Sequence, residues 1–228
     1  MGRMGKCVTC VVLVAALCMA TVWLTACGRD KDQSHTPSGH ASEKIASGEA
    51  LLDAGKLTEA ESAFREAVAI DANSVSAQMG LGNVYVRQGR LVEAETAYRA
   101  VLKIAPNSAA AHANLGVVHY QREDLVNAAK EFEAALHLEP GDAKALYLLG
   151  AVRLQQDDLA GAEKLFLQAS EAAPDLPEVY YGLGVLYKLR GEKDKAIAAF
   201  EKFLTVGPPQ DPQATGRAQE ELRQLRGQ

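Results

Sequence analysis

The chain repeats itself with a period of 34 residues over most of its length. Segments that begin at Ser47, Leu81, Leu115, Leu149 and Leu183 align with one another without an insertion. A fixed period of this length is typical of an array of small helical units, none of which can bury its apolar face alone. The chain is therefore expected to fold by stacking neighbouring units.

The same side-chain types return at the same places in each unit. The recurring residues are the glycines Gly48, Gly82, Gly116, Gly150 and Gly184, the alanines Ala60, Ala94, Ala128, Ala162 and Ala196, the aromatics Phe64, Tyr98, Phe132, Phe166 and Phe200, and the prolines Pro106, Pro140, Pro174 and Pro208. Ala72 takes the place of the proline in the first unit. This pattern resembles the tetratricopeptide repeat (TPR), in which each unit is a pair of helices.

The resemblance implies an all-α fold, a right-handed α-solenoid of five TPR helix pairs with a C-terminal capping helix. The predicted units cover residues 41–74, 75–108, 109–142, 143–176 and 177–210, and the cap covers 211–228. Within the cap, one narrow apolar stripe suits closure of the last unit. That stripe consists of Ala214, Ala218, Leu222 and Leu225. At the opposite end, polar Lys44 and Ser47 depart from the pattern, as an end cap would.

Small residues predict close packing within each pair. In the second unit the helices are predicted at about 76–88 and 92–104. A glycine such as Gly82 inside a helix costs about 1 kcal/mol relative to alanine. That cost implies a close helix–helix approach, with Tyr98 filling the space beside it. The turn between the helices carries Gly89, where a positive φ is expected, whereas Glu123 and Asp157 replace glycine in two units and predict slightly different turns.

The TPR resemblance also predicts a binding groove, because the first helix of each unit lines the concave side in that family. By repeat register, the predicted groove residues are Met79, Asn83, Val86, Asn114, Val117, Tyr120, Lys144, Tyr147, Ala151, Leu154, Tyr181, Val185 and Lys188. Tyrosine combines a large contact area with a hydroxyl and is common at interfaces. Packing between adjacent helices is the alternative role for Tyr120, Tyr147 and Tyr181.

The groove residues favour an apolar or amphipathic protein segment as the partner. TPR domains that grip a terminal carboxylate place two asparagines and several basic residues in the groove. Asn83, Asn114 and Lys144 match that arrangement, but Met79 and Leu148 occupy the other two basic places. No such clamp is therefore expected.

No catalytic or cofactor-binding constellation is predicted, so the chain is expected not to be an enzyme. Gly80 and Gly82 lie inside a helix rather than at a strand-to-helix turn, which argues against a phosphate loop. His112 and His119 share a helix face, but core packing is the favoured reading over a metal site. The net charge of −5 does not predict nucleic-acid binding, which usually involves a basic surface.

The N-terminus has the outline of a secretory signal. Arg3 and Lys6 precede an apolar run from Cys7 to Trp23. The stretch LTAC ends at Cys27 and resembles the bacterial lipobox, in which the chain is cut before the cysteine and the cysteine is acylated. Residues 1–26 are therefore predicted as a signal peptide, although an uncleaved membrane helix is the alternative.

Cys27 is thus the predicted lipid attachment site, and residues 27–40 are predicted as the lipidated cysteine and a flexible tether. Gly28 follows the cysteine, where aspartate usually retains such lipoproteins in the inner membrane. By that resemblance the protein is expected at the outer membrane facing the periplasm, or on the outer surface of a Gram-positive cell.

Together these features predict a lipid-anchored scaffold that binds a protein partner, for pilus, secretion or envelope-complex assembly. Two alternatives stay open at this point. The chain is an adaptor that recruits an envelope hydrolase, or it is a self-associating structural module.

Overall fold

The structure is a computed structural model, which describes residues 37–206 and 212–227. Eleven helices and no strand occur in those two ranges. The helices are α1 (Pro37–Asp53), α2 (Leu57–Ile70), α3 (Val75–Arg87), α4 (Leu91–Ile104), α5 (Ala109–Gln121), α6 (Leu125–Leu138), α7 (Ala143–Gln155), α8 (Leu159–Ala172), α9 (Pro177–Leu189), α10 (Lys193–Val206) and α11 (Pro212–Arg226). The predicted all-α solenoid of five helix pairs and a last helix is confirmed.

Each helix packs against the next one along the chain, both within a pair and between pairs. The first helices of successive units also touch, as in α1 with α3, α5 with α7, and α7 with α9. Within the described ranges, the second helices make at most marginal contacts with one another. The first helices therefore form the tighter, inner layer of the stack, and their free face is the concave side.

The recurring aromatic residue fills the space inside each unit. Phe132 is fully buried, and a Cβ added at Gly116 would lie only 2.7 Å from its Cε1 atom. A Cβ at Gly82 would likewise overlap the ring of Tyr98. Gly80 meets Phe64 of the preceding unit, so both glycines of the Gly80-x-Gly82 stretch are packing positions. The expected close approach is confirmed.

The two ends of the stack differ from its middle. In α11, Ala218 and Leu222 are buried against the last unit, while Ala214 and Leu225 are half-buried. At the first unit, the Lys44 ammonium lies 2.5 Å from the Glu66 carboxylate, and Ser47 is exposed. Both ends therefore carry polar outer surfaces.

The first helix begins earlier than the sequence analysis placed it. Helix α1 starts at Pro37, so residues 37–40 of the segment predicted as a tether are helical. Proline suits the first position of a helix because its φ is preset and its missing N–H is not needed there. Ala41 is buried, which places the start of the packed region at the second turn of α1. The predicted end of unit five at Pro208 lies outside the described residues.

The turns inside the pairs share one backbone conformation, contrary to expectation. Gly89 has φ +72°, and Glu123 and Asp157 have φ +60° and +63° at the same place in their units. The backbone of the turn therefore keeps the same conformation whether glycine, glutamate or aspartate occupies this position. A side chain in the left-handed region costs about 1 kcal/mol, and the packing of the flanking helices imposes it.

Replacing Glu123 by glycine is expected to raise the free energy of unfolding by about 0.5–1 kcal/mol, because strain at positive φ disappears. Urea denaturation followed by circular dichroism measures the change. Gly89→Ala is the matched control and should shift stability in the opposite direction. Equal destabilisation by both substitutions would show that φ does not limit this turn.

Candidate functional site

The predicted groove residues all lie on the first helices of their units, and none of them is fully buried. Lys144 and Lys188 are exposed, and the other members of the set are half-buried. The residues that alternate with them along α3, such as Ala77, Leu81 and Val84, are buried in the core. Each first helix thus presents one face to its neighbours and another to the groove.

The middle of the groove carries few charges. Val117, Ala151 and Val185 occupy the same register position on α5, α7 and α9, and Met79, Val86 and Leu154 extend the apolar lining on either side. All of these side chains except Ala151 also pack at their inner edges against the core. A partner can bury the apolar surface that such a strip still exposes to water.

The two groove asparagines support the fold. The Tyr98 hydroxyl donates to Oδ1 of Asn83 at 2.7 Å, and Nδ2 of Asn114 lies 3.4 Å from the same oxygen. Asn83 therefore links the second helix of its own unit to the first helix of the next. Its carbonyl oxygen accepts both of these bonds.

Two groove tyrosines rest on the aromatic core. The Tyr147 ring lies 5.9 Å from Phe166, and the Tyr181 ring lies 5.7 Å from Phe200 and 5.3 Å from Phe203. Burial, with smaller contributions from Tyr120, Glu178 and Tyr181, raises the pKa of Tyr147 to about 12. The rings therefore pack on the core, which is the alternative role considered for them, and both remain partly exposed.

Tyr120, the third predicted groove tyrosine, contacts the first helix of the next unit. Nε2 of Gln155 donates to its hydroxyl at 2.5 Å, which joins α5 to α7. Burial raises the pKa of the Tyr120 phenol. This tyrosine is therefore held by a bond between units.

A small hollow opens between α5 and α7. It has a volume of about 180 Å³, and its lining consists of Ala110, Ala113, Asn114, Val117, Asp142, Lys144, Ala145 and Leu148. The Asp142 carboxylate caps α7, because it accepts from the backbone N–H groups of Lys144 and Ala145. The hollow is large enough for one aliphatic side chain of a partner.

The groove ends at the last helix. The Lys188 ammonium pairs with the Glu221 carboxylate on α11. Lys188 was predicted as a groove residue, and it is placed where the capping helix meets the groove. Its charge is therefore engaged by the chain itself.

The two histidines of α5 face different carboxylates. Nδ1 of His112 lies 2.7 Å from Glu131, whereas Nδ1 of buried His119 lies 3.4 Å from Asp124 without hydrogen-bonding geometry. No group of three or more potential metal ligands occurs in the described part of the chain. The structure does not bring the histidines together as a pair.

Half-buried glutamates connect successive units. Glu61 accepts from Nε2 of Gln88 at 3.2 Å, and the pairs Arg122–Glu95 and Arg190–Glu163 occupy the same places in later units. Glutamate at one repeat position, followed by Gln or Arg 27 residues later, is the signal that was available in the sequence.

These bonds make stability depend on pH. The Arg190 hydrogen bond, opposed by burial, holds the pKa of Glu163 below the ordinary value of 4.5. A lowered pKa in the folded state stabilises the fold above the unfolded value, and this contribution disappears as pH falls through the folded value.

Glu163→Gln is therefore expected to lower stability at pH 7 and to reduce the loss of stability below about pH 4.5. The melting temperatures of the variant and of the native chain are compared from about pH 3 to about pH 7. An unchanged acid dependence would show that the Arg190–Glu163 pair is not coupled to folding. Glu171→Gln, an exposed change on the same helix, is the control.

Three tetratricopeptide-repeat family models match the chain. The first matches residues 45–109 and 93–143, the second matches 119–183, and the third matches 177–208. The chain belongs to the tetratricopeptide-repeat family. No curated protein matches the sequence. TPR arrays are scaffolds for protein–protein interaction, and this TPR protein has their fold.

Solved TPR structures share the arrangement at low sequence identity. The pilF protein of Pseudomonas aeruginosa is 20% identical, with a TM-score of 0.71 over 83% of this chain and 90% of that one. MamA from Desulfovibrio magneticus RS-1 is 24% identical, with a TM-score of 0.62 over 73% and 93%. YrrB, a TPR protein with an unusual peptide-binding site, is 23% identical, with a TM-score of 0.60 over 78% and 90%. At these identities the likeness concerns the fold alone.

The predicted signal peptide and the lipid attachment site at Cys27 lie outside the described residues. Among the helices that the structure does describe, none is long and apolar enough to cross a bilayer. The membrane anchor therefore stays a prediction from the sequence.

Proposed function

We propose that this TPR protein is a lipid-anchored scaffold in the periplasm that holds one protein partner in its concave groove. The groove carries the proposal, because Val117, Ala151 and Val185 form an uncharged, half-buried strip across three successive units. An amphipathic segment would cover this strip and leave its own polar side facing water. The LTAC stretch at Cys27 supports the anchor.

Assembly of a pilus, a secretion pore or another envelope complex is the proposed setting. A TPR array on an acylated cysteine holds its groove close to a membrane, which suits a protein that positions a subunit during assembly. Two lipid chains would give stable anchoring, whereas one alone is marginal. The peptide-binding site described for YrrB has the same kind of fold, which supports peptide capture as the mode of action.

Two measurements test this function. Cell fractionation should place the full chain in the outer-membrane fraction. A chain in which residues 1–27 are replaced by a cleavable secretory signal without a lipobox should instead appear in the soluble periplasm. Mass spectrometry of proteins that co-purify with the chain from detergent-solubilised membranes should find a pilus, secretion or envelope subunit. An envelope hydrolase would support the adaptor role instead, and recovery of the chain alone would support self-association.

A further inference from the structure

Two tyrosine hydroxyls in the groove have no partner within the described parts of the chain. The sequence contains seven tyrosines, and five of them use their hydroxyls in hydrogen bonds. These five are Tyr85, Tyr98, Tyr120, Tyr180 and Tyr187. The remaining two, Tyr147 and Tyr181, lie side by side on the first helices α7 and α9.

The rings that carry these hydroxyls are fixed from behind. Tyr147 rests on Phe166, while Tyr181 meets Phe200 and Phe203 edge-on. Because Phe166 and Phe200 are fully buried, the phenols are held in place before any partner arrives. A hydroxyl fixed in this way costs little conformational entropy when it forms a bond to a partner.

Two charged side chains precede the two tyrosines by about one helical turn. Lys144 begins the groove face of α7 and Glu178 begins that of α9, and both are exposed. Neither forms an ion pair with a described residue, in contrast to Lys188, which pairs with Glu221. The Glu178 carboxylate is close enough to contribute to the raised pKa of Tyr147, so these groups belong to one neighbourhood.

We propose that the groove recognises an amphipathic partner segment that places an acidic residue beside Lys144 and a basic residue beside Glu178. The hydroxyls of Tyr147 and Tyr181, one helical turn further along α7 and α9, bond polar groups of the same segment. An apolar side chain of the segment fills the hollow beside Lys144. This inference rests on the proposed function and adds to it the order of charges that the partner must carry.

Charge complementarity supports this occupant. Lys144 and Glu178 stand on successive first helices, so the local charge changes sign from α7 to α9. A segment that crosses α7 and α9 with the opposite order of charges would place like charges together, which disfavours wrong partners. The Asp142 carboxylate lies beside the same hollow, but it accepts from the backbone N–H groups of Lys144 and Ala145 and forms no ion pair with the Lys144 ammonium.

Selection from a displayed library of random peptides of about twelve residues tests the charge order directly. The full chain in detergent is the bait, and Ala151→Glu, which places a charge in the groove, removes peptides that bind elsewhere. Enriched peptides should share apolar residues with an acidic residue on one side and a basic residue on the other. The bait Lys144→Glu should select against the acidic residue, and Glu178→Lys should select against the basic one.

The possible outcomes distinguish the inference about charge order from the proposal that the groove binds a partner. An apolar consensus that ignores charge, or one unchanged by Lys144→Glu and Glu178→Lys, would overturn the inference and leave groove binding intact. Failure to enrich any peptide over the Ala151→Glu bait would overturn groove binding, and the inference with it.

The hydroxyls have their own test with a selected peptide. Changing both Tyr147 and Tyr181 to phenylalanine keeps the rings on the core and should weaken binding about tenfold, as expected for two lost hydrogen bonds. Tyr180→Phe is the matched control, because its hydroxyl donates to the Pro174 carbonyl, and it should leave the affinity unchanged. Equal affinity of the double variant and the native chain would exclude the hydroxyls from recognition.

Discussion

Phe132→Ala is expected to lower the free energy of unfolding by about 3–5 kcal/mol, the usual cost of removing an aromatic ring from a core. Phe132 is fully buried and lies in one cluster with Ala128, Leu149 and Val152. The ring therefore fills its own unit and also contacts the next one. Its loss leaves a cavity at a junction between units, and contacts at such junctions are a main contribution to the stability of a stack. Urea denaturation followed by circular dichroism measures the change.

Val126→Ala is the control for Phe132→Ala. Val126 belongs to the same helix but is 74% exposed, so its truncation should change stability by less than about 0.5 kcal/mol. A loss below about 1 kcal/mol for Phe132→Ala would contradict the assigned packing.

Ala151→Glu is expected to reduce partner binding at least about tenfold, because a carboxylate would have to be buried or displaced in the middle of an uncharged strip. Ala151 is half-buried on the groove face of α7, so the added side chain points toward solvent when no partner is bound. Stability should change by less than about 0.5 kcal/mol, as for other surface substitutions. Quantitative co-purification from membranes, together with the melting temperature, separates binding from folding.

Ala160→Glu adds the same charge to the exposed start of α8, in the same unit but outside the groove. Partner recovery should equal that of the native chain. If both variants lose the partner to the same degree, net charge and not the groove governs binding.

The fold was predictable because one local rule is repeated five times. A glycine and an aromatic residue at fixed spacing can only be accommodated by the same helix pair, as Gly116 and Phe132 show. The direction of each groove side chain follows from this register. The partly buried state of Met79, Val117 and Leu154 was therefore accessible from the sequence.

Other features depend on contacts that the repeat pattern does not encode. Glu123 and Asp157 take the conformation of the glycines they replace, since the flanking helices decide the turn. Helix α1 starts at Pro37, and Ala41 in its second turn is buried. The polar composition of residues 28–40 gave no sign of this packing. The hydroxyls of Tyr147 and Tyr181 lack a partner among the described residues because of how neighbouring helices are placed, which the repeat pattern does not encode.

Site-specific photo-crosslinking in native membranes tests most directly whether the concave face holds the partner. A photo-reactive amino acid at Lys144, on the groove face of unit four, is compared with one at Lys164, which is exposed on α8 of the same unit. We predict that the partner crosslinks from Lys144 and not from Lys164. A crosslink from Lys164 alone would place the partner on the second helices and contradict the proposed groove.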